Sequence, residues 1–206
     1  MVVSILVPAR RLHSLGVRIA LSRVTFEETS LAGAFVIGLE PHSDERGFFA
    51  RTWCRNELEA LGLDAQVAQC SVSFNTRAGT LRGLHFQASP YEEVKLVRCT
   101  AGAIFDVIVD LRPESPTFGR HYAVTLSKEN RRTLYIPKGV AHGFQTLLPN
   151  TEVAYQMSEF YHADYARGVR WNDPSFGIDW PMTENRIINE RDRTYPDFQD
   201  SVFRQR

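Results

Sequence analysis

From Val24 onward, apolar and polar residues alternate in short runs that turn-forming residues interrupt at intervals of roughly ten, the pattern of antiparallel β-structure. The runs predict strands over 33–39, 65–74, 83–87, 94–100, 103–111, 121–127, 133–136, 143–148 and 152–158. Asn75, Gly79, Pro90, Gly102, Pro113, Pro116, Gly119, Asn130, Pro137, Gly139, Pro149 and Asn150 fall between them, where turns need such residues. The run 103–111 is apolar except at Asp106 and Asp110, which predicts a strand covered on both faces. Residues 55–61 break the pattern: Leu58 and Leu61 sit at helical spacing and Gly62 follows as a stop. After Pro181 the chain turns polar, and a helix with Thr183 as its N-cap is expected there. Strands of this kind fold as an all-β jelly-roll sandwich or small barrel, here with short N-terminal and C-terminal helices.

Residues 1–23 have a different texture, with Arg10, Arg11, Arg18 and Arg23 as their only formal charges. The longest apolar run, 1–9, is broken by Ser4 and Pro8 and is too short to span a bilayer. The arginines follow that run, whereas a secretory signal places its positive charge first. The expected organisation is a poorly ordered extension over 1–23 and a single domain over 24–206. A transit-type segment or an over-extended start are the alternatives for the extension.

Composition narrows the function classes. With 206 residues, 43% hydrophobic and 23% charged, the chain can bury one sizeable core. Lys+Arg and Asp+Glu balance at 24 each, so no broad positive field points to nucleic acid or to a membrane surface. Any anion must be captured locally. Cys54, Cys70 and Cys99 are odd in number, widely spaced and free of any C-x-x-C pair, which fits three buried thiols in a reducing cytoplasm.

Four histidines are candidates for chemistry: His85, His121, His142 and His162. In 81–87 the strand period of two puts His85 and Gln87 on one face, with Leu84 and Phe86 on the other. Lys95 follows on the next strand, so an imidazole and an ammonium can point into one apolar cavity. Pro137-Lys138-Gly139-Val140-Ala141-His142 fits P-x-G-x-x-H, a cupin-type signature in which Pro and Gly turn the chain and the histidine enters the barrel. A metal-dependent cupin also needs a His-x-His pair and a glutamate, because a catalytic metal takes at least three protein ligands. Gln87 stands where the second histidine would be, so no metal is expected and acid–base residues are. A metal cupin, oxygenase or isomerase, is the alternative among enzymes.

Asp44-Glu45-Arg46-Gly47-Phe48-Phe49, the stretches 81–87, 95–98, 106–112, 115–119 and 136–144, Tyr155 and Trp171-Asn172-Asp173-Pro174 occur here in order. With these motifs the chain resembles the dTDP-4-dehydrorhamnose 3,5-epimerases, the RmlC-like branch of the cupins, from Val24 to Phe198. The resemblance implies a cupin double-stranded β-helix and a cytoplasmic homodimer. It also implies cofactor-free epimerisation of a dTDP-4-keto-6-deoxyhexose, a nucleotide sugar, in deoxysugar synthesis. A C–H beside a ketone is acidic only through its enolate, so this chemistry needs a base, an electrophile at the ketone oxygen and an acid on the far ring face. The resemblance assigns His85 as base, Asp192 as the carboxylate that orients it, Lys95 at the keto oxygen and Tyr155 as acid. The family's S-x-K-D segment reads Asn189-Glu190-Arg191-Asp192 here, differing at its first and third positions. Arg46, Gln69, Ser71, Arg82, His142 and Arg191 take the substrate contacts.

Each residue also has a plainer role. A strand histidine is commonly a satisfied structural residue, a strand lysine an edge charge, and Tyr155, alternating with Val153 and Met157, a core residue. Arg46 and Arg82 can hold loops by salt bridges, and Asp173 before Pro174 suits a turn. Arg51, Ser71, Glu93-Val94 and Ala166 depart from the family pattern around the ligand, so chemistry is expected to persist while recognition shifts. A 3-epimerase acting at one centre on a related nucleotide sugar, and a sugar-nucleotide-binding cupin without turnover, are the alternatives.

Overall fold

Alternation along the strands sorts their side chains into three apolar layers, and these layers position everything else. The computed structural model describes residues 24–199, so the extension expected over 1–23 lies outside the described residues. One antiparallel sheet runs β1 (Val24–Glu28), β2 (Phe35–Leu39), β10 (Thr133–Ile136), β7 (Lys95–Ala101), β12 (Thr151–Met157), β5 (Gln69–Asn75). The second runs β13 (Ala166–Gly168), β6 (Leu81–Gln87), β11 (Val140–Thr146), β8 (Ala103–Asp110), β9 (His121–Ser127). A two-stranded hairpin, β3 (His42–Asp44) with β4 (Gly47–Phe49), stands apart from both.

The first layer lies between the sheets, where Val97, Cys99 and Val153 of one meet Ile104, Ile108, Leu126 and Phe144 of the other. Each such fully buried Ile, Leu or Phe contributes roughly 1.5–3 kcal/mol against exposure. In the second layer, Leu84, Val107, Val109 and Ala141 pack outward onto Val169, Phe176 and Trp180 of the C-terminal segment. β8 therefore feeds both layers, even-numbered residues inward and odd-numbered outward, which is why it is apolar along nearly its whole length. The third layer seats Leu58 of α1 (Arg55–Ala60) on Ile37, Leu96 and Tyr135.

All nine expected strands are present, with ends displaced by up to four residues. The expected strand 65–74 starts only at Gln69, because Ala65 packs into the third layer near α1 instead. β1, the β3–β4 hairpin and β13 were not expected; they are three to five residues long and mostly exposed or half-buried, so they carry little alternation. Gly62 closes α1 with φ +72, as expected for a helix stop. The helix after Pro181 is a correction: only α2 (Glu190–Arg193) forms, and its N-cap is Asn189 rather than Thr183. The preceding backbone is committed elsewhere, since Ile187 donates to Gly79 and accepts from Leu81. The cysteines need a second correction. Cys99 is buried, but Cys54 is half-buried and Cys70 lies exposed on the edge strand β5; none is in a disulfide. Among the described residues no helix is long and apolar enough to cross a membrane.

Candidate active site

Plain alternation would send Arg82 and His85 to opposite faces of β6, yet both line one cavity. Gly83 lies between them with φ +124, and a β-carbon there would come 2.5 Å from the Cα of Gly143. Only a pair of glycines lets β6 and β11 close this far. The register slips here, between His142 and Phe144.

The cavity, of about 340 Å³, opens between the two sheets. Arg82, His85, Gln87 and His142 come from the five-stranded sheet; Gln69, Ser71, Lys95 and Tyr155 come from the six-stranded one; Arg191 comes from α2. Its volume and its mixture of apolar wall with convergent polar groups are those of a small-molecule site.

His85 Nε2 lies 2.7 Å from Asp192 Oδ1, and Asp192 Oδ2 accepts the Gly83 N–H at 3.0 Å. The carboxylate is 1% exposed and the imidazole 40%, so a buried acid holds a ring that opens to the cavity. Burial alone would raise the Asp192 carboxyl, but the His85 hydrogen bond and charge, the Gly83 N–H and Arg191 outweigh it and hold the group below its ordinary range. Asn189 fixes the approach by accepting the Asp192 N–H at 2.7 Å, as an N-cap does. With Nε2–H given to the carboxylate, Nδ1 keeps the lone pair that can take a proton.

A second pair stands beside the first. His142 is the direct cross-strand partner of His85, and its Nε2 lies 2.7 Å from Asp106 Oδ1. Asp106 is fully buried, and its Oδ2 has no hydrogen-bond partner. Burial pushes this carboxyl up, with His142 opposing. Sequence reasoning passed over Asp106 as a site residue, although an acid in the middle of an otherwise apolar strand was the available signal.

Tyr155 packs against the inter-sheet core, its ring 6.0 Å from that of His142. Burial, then the Asp106 charge, raise its phenol while Arg82 opposes, so the hydroxyl stays protonated as a donor. Lys95 is only 8% exposed, which excludes a solvated edge charge; its Nζ meets Glu93 Oε1 at 2.9 Å. Arg82 gives Nε to Asn75 at 2.8 Å. Gln69 Oε1 accepts the Tyr161 N–H at 2.6 Å, and Arg191 is raised chiefly by its hydrogen bond with Tyr161.

Arg46 is the one expected contact placed away from the cavity: it lies on the exposed hairpin and pairs with Asp44. Of the departing positions, Ser71, Glu93 and Ala166 line the cavity, whereas Arg51 pairs with Glu57 at 3.1 Å and Val94 is buried in the third layer. Asp173 accepts the backbone N–H of Ser175, the turn role, and also that of Phe198, which ties down the C-terminal segment. Among the described residues no group of three or more His, Cys, Asp or Glu gathers to hold a metal.

The model of the family described as dTDP-4-dehydrorhamnose 3,5-epimerase matches residues 28–200. The dTDP-4-dehydrorhamnose 3,5-epimerase of Methanothermobacter thermautotrophicus is 44% identical over 178 residues, which cover 85% of this chain and 95% of that protein. The crystal structure of the Bacillus anthracis dTDP-4-dehydrorhamnose 3,5-epimerase, with TDP and PPi bound, superposes with a TM-score of 0.82 at 43% identity, covering 85% of this chain and 100% of that one. That of dTDP-6-deoxy-D-glucose-3,5-epimerase from Legionella pneumophila, in complex with dTDP-4-keto-L-rhamnose, gives 0.77 at 37% identity over 82% of this chain and 90% of that one.

Proposed function

The chain belongs to the dTDP-4-dehydrorhamnose 3,5-epimerase family, and from that premise we propose how its cavity inverts a dTDP-4-keto-6-deoxyhexose at C3 and C5 on the route to dTDP-rhamnose. The observation that carries the reading is the pairing of walls: His85 on one sheet, coupled to Asp192 of α2, and Lys95 and Tyr155 on the other sheet, around one cavity. His85 Nδ1 takes the proton from the ring carbon beside the ketone. The C–H electron pair moves into a carbon–carbon double bond, and the carbonyl electrons move onto oxygen. Asp192 stabilises the imidazolium so formed, and the Lys95 ammonium stabilises the enolate oxygen in a site largely shielded from water. Tyr155 then delivers its proton to the opposite ring face, which restores the ketone with the centre inverted. His85 then releases its proton to solvent and the Tyr155 phenolate takes one up, and repetition at the second carbon gives the doubly inverted sugar.

Arg82 and Arg191 present guanidinium groups suited to the pyrophosphate, and Gln69, Ser71 and His142 complete the contacts. The protein acts as a homodimer in the cytoplasm. Val72 at 61% and Phe74 at 54% exposure on the edge strand β5, with Phe48 and Phe49 on the hairpin, form apolar surface that a second copy would cover. Arg46, on that hairpin, takes its substrate role only in such a pair.

Incubation of dTDP-4-keto-6-deoxyglucose in heavy water tests the reading. Deuterium at both C3 and C5 is the expected result. No exchange at either carbon would overturn it, and exchange at C3 alone would select a single-centre 3-epimerase.

A further inference from the structure

Glu93 lies two residues before Lys95 at a position where the sequence departs from the resembled family, and the geometry gives that departure a role. Glu93 Oε1 meets the Lys95 ammonium at 2.9 Å, and both side chains are 10% exposed. The His85 carbonyl accepts from the same ammonium at 3.4 Å. Two N–H bonds are then occupied, and among the described residues the third has no protein acceptor.

Glu93 is itself fixed. Its Oε2 accepts from Gln87 Nε2 at 3.2 Å, and Gln87 is 3% exposed. The same nitrogen reaches the carbonyls of Tyr91 at 2.9 Å and Phe160 at 3.0 Å, while Gln87 Oε1 accepts the His162 N–H at 2.7 Å. The residue that occupies the metal-histidine position of other cupins is thus an anchor tied to two loops. From that anchor a chain of contacts runs through Glu93 to the ammonium. A free lysine side chain has four rotatable bonds and loses much conformational freedom when fixed, so an ammonium held beforehand loses less on meeting substrate.

We propose that Glu93 is a positioning residue for Lys95: held by Gln87, its carboxylate keeps the ammonium in the cavity wall with one N–H turned toward the ketone oxygen of the bound sugar. The inference rests on the epimerase reading above and adds to it the group that orients the electrophile. The carboxylate also repels the developing enolate. Glu93 lines the same cavity, so this repulsion offsets part of the attraction that the ammonium supplies.

The test is a double-mutant cycle in steady-state epimerisation of dTDP-4-keto-6-deoxyglucose, with wild type, Glu93→Gln, Lys95→Met and the double variant. Glu93→Gln is expected to lower kcat roughly 10- to 100-fold with KM held within about threefold, the mark of lost orientation rather than lost binding. In the Lys95→Met background the same change should have no further effect, because Glu93 acts through the ammonium. A Glu93→Gln enzyme with wild-type or higher kcat, or losses that multiply in the double variant, would overturn the proposal. If Glu93→Gln does not fold, as judged by thermal melting, Glu93→Asp takes its place in the cycle with the same expected pattern, since the shorter arm cannot reach both Gln87 and Lys95. Failure of wild type to turn over would instead remove the epimerase reading and this proposal with it.

Discussion

His85 and His142 face each other across the β6–β11 register, and each gives Nε2 to a carboxylate oxygen 2.7 Å away. The two pairs are not equivalent. The Asp192 carboxylate accepts a second, backbone hydrogen bond and holds an open ring; Asp106 leaves one oxygen unpartnered behind a ring that is 5% exposed. Asp192→Asn should therefore lower kcat by about 100-fold or more while KM changes little, because it removes the charge that stabilises the imidazolium. Asp106→Asn should act through the other wall, relieving the phenol of Tyr155 of a neighbouring negative charge. Ultraviolet titration of tyrosine ionisation should show one phenol in Asp106→Asn ionising at lower pH than in wild type.

Tyr155→Phe separates proton removal from proton delivery. With His85 intact, the C–H bond still opens and closes on the same face, so deuterium from heavy water enters without inversion. Formation of the inverted sugar should fall by about 100-fold or more. Because burial raises the phenol above its ordinary value near 10, ionisation of Tyr155 sets no alkaline limb below about pH 10. NMR of the sugar recovered at a series of pH values, scoring deuterium and configuration separately, checks all three statements.

The strands were legible because their apolar residues feed layers on opposite faces; β8, with Ile104 and Ile108 inward and Val107 and Val109 outward, is the clearest case. β13 was not legible, since three residues paired with β6 carry no period, and neither was the start of α2, which depends on a tertiary bridge at Ile187. Within the site, alternation correctly grouped His85 with Gln87. It could not place Arg82, because Gly83 breaks the face rule between Arg82 and His85. Asp192 came from the family resemblance alone: its contact with His85 spans 107 positions, a distance that no local pattern encodes.

Gly83→Ala tests the close approach directly. The added methyl would meet the Gly143 Cα at 2.5 Å and the His142 carbonyl oxygen at 2.9 Å, both backbone atoms that cannot swing aside. A backbone conformation near φ +124 is also unfavourable for any L side chain. We expect a loss of about 2–4 kcal/mol in chemical denaturation, combining steric and backbone strain. Activity should fall further than stability explains, since the same shift carries the Gly83 N–H away from Asp192.

Asp110 gives a prediction about pH. Its carboxylate is fully buried and accepts from the Arg112 backbone and guanidinium and from the hydroxyls of Ser115 and Thr117. Burial works to raise this carboxyl, but those donors outweigh it and leave it below its ordinary range. The unfolded chain therefore binds the proton more tightly than the folded one. The stability this provides is complete above the unfolded value near 4 and is lost as pH falls through the lower folded value. Asp110→Asn removes the charge but leaves its buried partners, and should cost about 3 kcal/mol or more at neutral pH. As pH falls from about 5 toward 2, wild type should lose stability faster than Asp110→Asn, so the gap between them narrows. Urea denaturation of both proteins across that range measures it; a gap independent of pH would show that the carboxylate is not held below its ordinary range.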